Sequence, residues 1–246
     1  MMIQKTKGIV LRSVKYGETS LIVTIFTELF GVQSYLVNGV RQASKKGSAK
    51  ATFFQPASIL ELVAYHNDFN KLQRLREYKW DFLYQHVLSD VRKNAVALFM
   101  VELLAKCLKQ PEPNPDLFYF VEDALHHLDS ANEAVTGNFP LFFALHLAVF
   151  FGFRVSDEFS EEKHYLDLQE GQFTTQQPQH QFYLLDREAA AVSDILKIMQ
   201  PQELEQVFLN QEVRRRITHA IEQYYAFHIP EFGTLRTLPV LREVMS

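Results

Sequence analysis

The sequence predicts a two-domain α+β protein. An N-terminal OB-fold β-barrel over residues 1–80 is followed by an all-helical domain over residues 81–246, with a small β-hairpin-like insertion at about 157–187. Three observations predict this. Five short, β-branched apolar runs precede Trp80, and after Trp80 the apolar period becomes helical. The charge changes sign at the same place: residues 1–80 carry 12 Lys+Arg against 5 Asp+Glu, a net +7, whereas residues 81–246 carry 13 against 24, a net −11. At 246 residues and 47% hydrophobic content the chain holds enough apolar material for a real core, which excludes disorder as its main state. A single cysteine excludes an intramolecular disulfide framework and a multi-cysteine zinc site, and a reducing cytosol is the expected compartment. The first residues lack the apolar stretch and cleavage site of a signal peptide.

The strand-like runs cover residues 8–14, 21–27, 32–37, 58–65 and 72–78. Turn-like pieces separate them, such as Tyr16-Gly17-Glu18 and Leu29-Phe30-Gly31. Five strands in about 80 residues suit a small closed barrel better than a sandwich of about seven. Residues 21–26 are apolar on both faces, as a barrel strand covered by another element would be. The long gap from Asn38 to Gln55 has room for a short helix around 49–54.

Beyond Trp80, Val96, Phe99, Met100, Leu103, Leu104, Cys107 and Leu108 share one helical face. Leu117, Phe120, Val121, Ala124, Leu125 and Leu128 form a second stripe, with Asn114-Pro115 ahead as N-cap and first helical residue. Ile217, Ala220, Ile221, Tyr224 and Tyr225 form a third. The run 139–153 is apolar nearly all round. At ~1.5 Å per residue it reaches about 22 Å against a ~30 Å bilayer core, so it reads as a buried core helix and no membrane contact is expected. Between the helices, residues 164–185 alternate around Gly171 and Pro178 and read as the insertion, held by Tyr165, Leu166, Leu168, Phe173, Phe182, Tyr183 and Leu184.

Motifs for catalysis are missing. Residues 39–48 approach a P-loop but place Ser44 where the second glycine must stand, and G-x-G-x-x-G, G-x-S-x-G and H-E-x-x-H do not occur. Cys107 lies on an apolar stripe and reads as core. His126 and His127 point about 100° apart on a helix and read as solvated rather than metal-ligating. No enzyme, metal or cofactor is expected.

The basic residues of the barrel half carry the positive signal. Lys5, Lys7, Arg12 and Lys15 sit on or beside the first strand. Arg41, Lys45, Lys46 and Lys50 crowd the long loop, and Lys71, Arg74 and Arg76 lie near the last strand, where alternation puts Leu72, Arg74 and Arg76 on one face. Tyr16, Tyr35 and Phe54 are the aromatics placed to stack on bases. Cations with stacking aromatics on an OB barrel suit single-stranded nucleic acid, and Arg12, Lys15, Arg41, Lys45, Lys46, Lys50, Arg74 and Arg76 are the expected contacts. Arg214, Arg215 and Arg216 fan over about 200° of a helix and form no single patch; Arg214 and Arg215 either contact phosphate or balance the acidic half, and balancing is the preferred reading. Residues alone leave DNA and single-stranded RNA both open, and an enzyme with an unrecognised site is a third reading.

Several segments carry a family resemblance. These are Lys7-Gly8-Ile9-Val10-Leu11-Arg12, the run from Tyr16-Gly17-Glu18 to Phe26-Thr27, Gly31, Asn38-Gly39-Val40-Arg41 and Phe54-Gln55-Pro56-Ala57-Ser58. Together they resemble RecO-type DNA repair and recombination mediators. Phe150-Phe151-Gly152-Phe153 and Leu235-Arg236-Thr237-Leu238-Pro239 resemble that family's helical domain. The resemblance implies binding of single-stranded and of duplex DNA, strand annealing, and action with RecR to load RecA onto DNA coated by the single-stranded-DNA-binding protein, in the bacterial cytoplasm. It singles out Arg41 as a DNA contact. Many members hold zinc through four cysteines in the insertion; this chain has none there, so zinc is not carried over.

Overall fold

In the computed structural model, which describes residues 2–40, 50–67 and 71–245, the N-terminal strands close into a five-stranded barrel of order β1-β2-β3-β5-β4. The strands are β1 (Met2–Tyr16), β2 (Ser20–Thr27), β3 (Gly31–Val37), β4 (Ile59–His66) and β5 (Gln73–Trp80). β1 is longer than its apolar run because its first half, with Gln4, Lys5, Thr6 and Lys7, pairs with β4 while its second half pairs with β2. A register shift between Val10 and Arg12 divides the two halves, and such a bulge bends a strand and increases its twist. β3 and β5 meet in parallel to close the ring. The interior is filled by Val10, Val23, Ile25, Tyr35, Leu60 and Leu62, with Phe54 from a 3-10 turn (Thr52–Phe54). That turn lies in the segment where the sequence places a short helix.

The chain divides into two compact units, Met1–Gln85 with Leu108–His126, and His86–Cys107 with His127–Ser246. In the first, the opening turns of α2 (Pro115–Ser130) lie on the barrel. Asn114 caps this helix, its Oδ1 accepting from Leu117 N at 3.0 Å. Phe118 packs on Phe26 with ring centroids 5.7 Å apart, so the outward face of β2 is apolar at Phe26 because a helix covers it. Gly31 is held at φ +61, and a Cβ there would overlap the Glu112 carbonyl and come within 2.9 Å of the Pro111 carbonyl carbon.

The second unit is a helical bundle. It contains α1 (Val91–Cys107), α3 (Glu133–Phe150), α4 (Asp186–Leu196), α5 (Gln211–His228) and α6 (Thr237–Val244). α3 packs against α1, α4 and α5. It starts at Glu133 under an Asn132 cap and ends at Phe150, because Gly152 at φ +82 turns the chain out. It therefore begins earlier and ends sooner than the apolar run 139–153 suggests. By length and composition α3 is apolar enough to cross a membrane, but two thirds of it is buried inside the fold. Cys107 is buried, as expected. His127 is not simply solvated, since its Nδ1 lies 2.9 Å from Gln202 Nε2. His126, in the first unit, has its ring 4.2 Å from that of Phe82.

The insertion is a three-stranded sheet of order β7-β6-β8, comprising β6 (Tyr165–Asp167), β7 (Gln172–Thr174) and β8 (Tyr183–Leu185). The expected hairpin is β6–β7, and β8 adds a strand to the free edge of β6. Leu166, Leu168, Phe173 and Leu184 are buried beneath it. Asp167 ties its turns: Oδ1 accepts from Gln169 N at 2.8 Å, and Oδ2 lies 3.2 Å from His180 Nε2. Phe182 N donates to the other ring nitrogen of His180.

Two outcomes follow. Gly31→Ala should destabilise by more than ~2 kcal/mol, since steric overlap adds to the cost of a left-handed backbone. Gly17→Ala, at φ +58 in open space, should cost only the ~1–2 kcal/mol of backbone strain. Urea midpoints of both variants check this. Burial holds His146 and His228 below the ordinary histidine value of 6.5. The unfolded chain therefore takes up protons first as pH falls, so stability should be level above about pH 6.5 and decline below it. Comparing urea unfolding at pH 7.5 and 5.5, with His146→Phe and His228→Phe flattening the loss, checks the assignment.

Candidate nucleic-acid interface

The outer wall of the barrel is built by strand alternation. Val23 and Ile25 point inward on β2, so Ile22 and Thr24 point outward. Residues paired across strands share a face. One outward row therefore runs Val14, Ile22, Leu36 and Arg74 across β1, β2, β3 and β5, and a second runs Arg12, Thr24 and Ser34. The shift between Val10 and Arg12 is what brings Arg12 out: without it, inward Val10 would leave position 12 inward as well. α2 covers the neighbouring row, where Phe26 is buried, and leaves these two rows open. Tyr16, one strand repeat beyond Val14, is 53% exposed.

The cations of the barrel half fall into two groups. Lys5 and Lys79 both pair with Glu61, at 2.9 and 3.2 Å, and Lys5 foremost holds the Glu61 carboxyl below its ordinary range. Lys7 meets Glu122 at 2.9 Å and Asp81 at 3.2 Å. Burial alone would lower the Lys7 ammonium, but hydrogen bonds from these two carboxylates outweigh it and raise the group well above the usual lysine value. Arg76 pairs with its neighbour Glu77 at 3.3 Å on the surface. Alternation around inward Leu75 turns Arg74 and Arg76 both outward, and β5 shifts register against β4 just beyond Leu75. Arg12, Lys15, Lys50, Lys71 and Arg74 are exposed and pair with no carboxylate among the described residues. Arg41, Lys45 and Lys46 lie outside the described residues.

Two of the three stacking candidates belong to the core. Tyr35 pairs with inward Val23 and is fully buried, which also drives its phenol upward in pKa. Phe54 is 1% exposed and packs edge-on against Tyr78. A buried ring has no free face for a base, so both are corrected to core residues, and Tyr16 alone of the three presents its ring. The sequence signal for the correction is parity: position 35 shares the inward frame of Val37.

In the helical unit, Arg214 is half-buried and donates to Asn138 Oδ1 at 3.2 Å and to the Leu209 carbonyl at 3.1 Å. Arg216 pairs with Glu188 and Glu212 at 3.1 and 2.8 Å. The Arg216 pairs agree with a balancing role, whereas Arg214 meets only neutral oxygens and ties α5 to α3. Arg214 also lines a pocket with Arg215, Arg242, Pro140, Leu141 and Leu241, a concave apolar surface edged by positive charge. Sequence reasoning missed this pocket because Arg242 comes from the short α6, which has no apolar stripe long enough to read.

Comparison with known proteins bears on the whole chain. A family model described as Recombination protein O N terminal matches residues 1–82, and one described as Recombination protein O C terminal matches residues 88–236. The DNA repair protein RecO of Bacteroides fragilis is 33% identical over 246 residues, covering all of both chains. The protein of that name from Phocaeicola vulgatus is 31% identical over 245 residues, again across all of both. That of Flavobacterium psychrophilum is 32% identical over 98% of this chain and 99% of its own.

The division of the cations is testable without any ligand. Glu122 has a nearly buried side chain, so Lys7→Met strands it and should cost roughly 2–4 kcal/mol, somewhat less than a fully buried pair because Lys7 is itself part-exposed. Arg12→Met and Lys15→Met, which break no pair, should change urea stability by less than ~0.5 kcal/mol.

Proposed function

Because the chain belongs to the Recombination protein O family, we propose that it is a DNA-binding recombination mediator that acts by annealing complementary strands. One observation carries the reading beyond the family. The open rows of the barrel wall carry Arg12 and Arg74, with Lys15 exposed near the end of β1, all free of carboxylates among the described residues, while Lys5, Lys7 and Lys79 are taken up by Glu61, Glu122 and Asp81. Unpaired cations on one wall of an OB barrel hold a nucleic-acid backbone. The segment between β3 and β4 carries four more basic residues, Arg41, Lys45, Lys46 and Lys50.

The mechanism needs no reactive group. Two complementary strands repel through their phosphates, and the protein lowers that barrier by neutralising them while leaving base edges free to pair. The same site accepts duplex DNA through phosphates alone. The helical unit, acidic overall, is assigned the protein partners: RecR, and the single-stranded-DNA-binding protein that coats the substrate. The arginine-edged pocket at Pro140 and Leu141 suits a partner segment that ends in a carboxylate. Together with RecR the protein would then help load RecA.

With ~5 phosphate contacts, log affinity for a single strand should fall with log salt at a slope of about −3.5, roughly a hundredfold between 50 and 200 mM. Arg12→Ala/Arg74→Ala should lower affinity and make the slope shallower by about 1.4. Annealing of oligonucleotides coated with single-stranded-DNA-binding protein should slow in parallel. A wild-type protein with no DNA affinity at 50 mM salt would sink the proposal, and equal competition by RNA of the same sequence would redirect it to an RNA-binding module.

A further inference from the structure

The segment that joins α4 to α5 presents an aromatic ring to solvent. Phe208 is 86% exposed, more than any other large apolar residue among those described, and it makes no ring contact there. Single exposed apolar residues are ordinary. What sets this one apart is that its backbone is pinned on both sides. The Val207 carbonyl before it accepts from Asn138 Nδ2 at 2.7 Å, and the Leu209 carbonyl after it accepts from Arg214 Nη2 at 3.1 Å. Asn138 is 2% exposed, and its Nδ2 also donates to the Leu204 carbonyl at 3.3 Å. Both amide protons are thereby taken, so Oδ1 is left to accept from Arg214 Nε at 3.2 Å. One buried amide on α3 therefore sets both the guanidinium and the chain leading into Phe208.

The pocket beside it is charged without compensation. Arg214, Arg215 and Arg242 line it and pair with no carboxylate among the described residues. Arg242 Nε is buried without an acceptor, and burial lowers the Arg214 guanidinium below its ordinary value. Gly137 keeps the α3 surface low beneath that guanidinium, where a Cβ would stand 3.4 Å from its Cζ. Resting on the reading that this pocket takes a carboxylate-ended partner segment, we propose that Phe208 is a second, apolar anchor for the same segment. The carboxylate meets Arg214, and an apolar side chain upstream of it lies against the Phe208 ring. Leu209 O is 3.1 Å from the guanidinium and one ~3.8 Å Cα step leads back to Phe208, so with the ring's own reach the anchors stand about 10 Å apart. At ~3.3 Å per extended residue, the apolar side chain belongs about three positions before the carboxylate. Acidic residues further upstream suit Arg215 and Arg242. Because the backbone around Phe208 is already fixed, docking orders little that was free before, and an aromatic ring beside arginines is the composition that interface cores favour.

The test measures fluorescence anisotropy of N-terminally labelled octapeptides with the full chain. The parent peptide is Glu-Asp-Ser-Asp-Leu-Gly-Ala-Leu as the free acid. Its companions are the C-terminal amide and a free acid in which serine replaces the internal leucine. Wild type should bind the parent more tightly than the amide, as the pocket reading requires. Phe208→Ser should lose about 5- to 30-fold on the parent and nothing further on the serine peptide. Its urea midpoint should not move, because the ring it removes is exposed. Wild type with the serine peptide should match Phe208→Ser with the parent, and Phe208→Tyr should keep the parent's affinity. A Phe208→Ser protein that binds the parent as wild type does, or that loses equally on the parent and the serine peptide, would overturn this proposal and leave the pocket reading standing. Wild type that binds acid and amide alike, or neither, would remove both.

Discussion

Every other feature of the barrel depends on one strand belonging to two edges at once. β1 pairs with β4 through Ile9 and with β2 from Gly8 onward, and the shift between Val10 and Arg12 lets a single strand bend from one partner to the other. Closure leaves no free sheet edge and fixes which side each residue shows. Inward positions fill with Val23, Tyr35 and Leu62. Outward positions must then be covered by a helix, as Phe26 is, or left for something else. Arg12, Val14, Ile22, Leu36 and Arg74 fall in the second class because the bulge sets their frame and α2 stops short of them.

A second consequence is that like charges do unlike work. Lys5, Lys7 and Lys79 carry the same unit charge as Arg12 and Arg74, yet each meets a carboxylate at salt-bridge distance. For Lys7 the partner is almost buried, so removing the lysine would leave a charge stranded away from water, a cost larger than the ~0–1 kcal/mol of a surface pair. Those lysines hold the fold. The unpaired arginines contribute little to stability and are available to a ligand whose charge density is high enough to release counterions.

The five strands, the helical stripes at Val96, Leu117 and Ile217 and the change of period at Trp80 were all legible, because each rests on local periodicity. What escaped the sequence was non-local. The first half of β1 is polar, and only its pairing with β4 makes it a strand. The partner of Lys7 is 115 residues away, so a lysine beside the first strand read as a surface charge. Tyr35 and Phe54 read as binding aromatics because a ring's composition does not say which way it points. α4 keeps only Ala189, Val192 and Ile195 on its stripe, too few and too small to announce a helix. The third strand of the insertion depends on a pairing with β6 that Pro178 and the Gln-rich loop conceal.

The barrel's unit is interrupted in sequence: the chain leaves it after Gln85, builds α1 in the other unit and returns at Leu108. The cover for Phe26, the carboxylate for Lys7 and the tyrosine (Tyr119) that Glu28 bonds all lie in that returning piece. During synthesis at ~5–20 residues per second, the barrel waits about 2–9 s after its last strand before they emerge. For that interval an aromatic wall stands bare, and a fragment cut at the end of the fifth strand would carry it permanently. The smallest piece of this protein that completes the barrel therefore extends through residue 126, well beyond the point where its last strand ends.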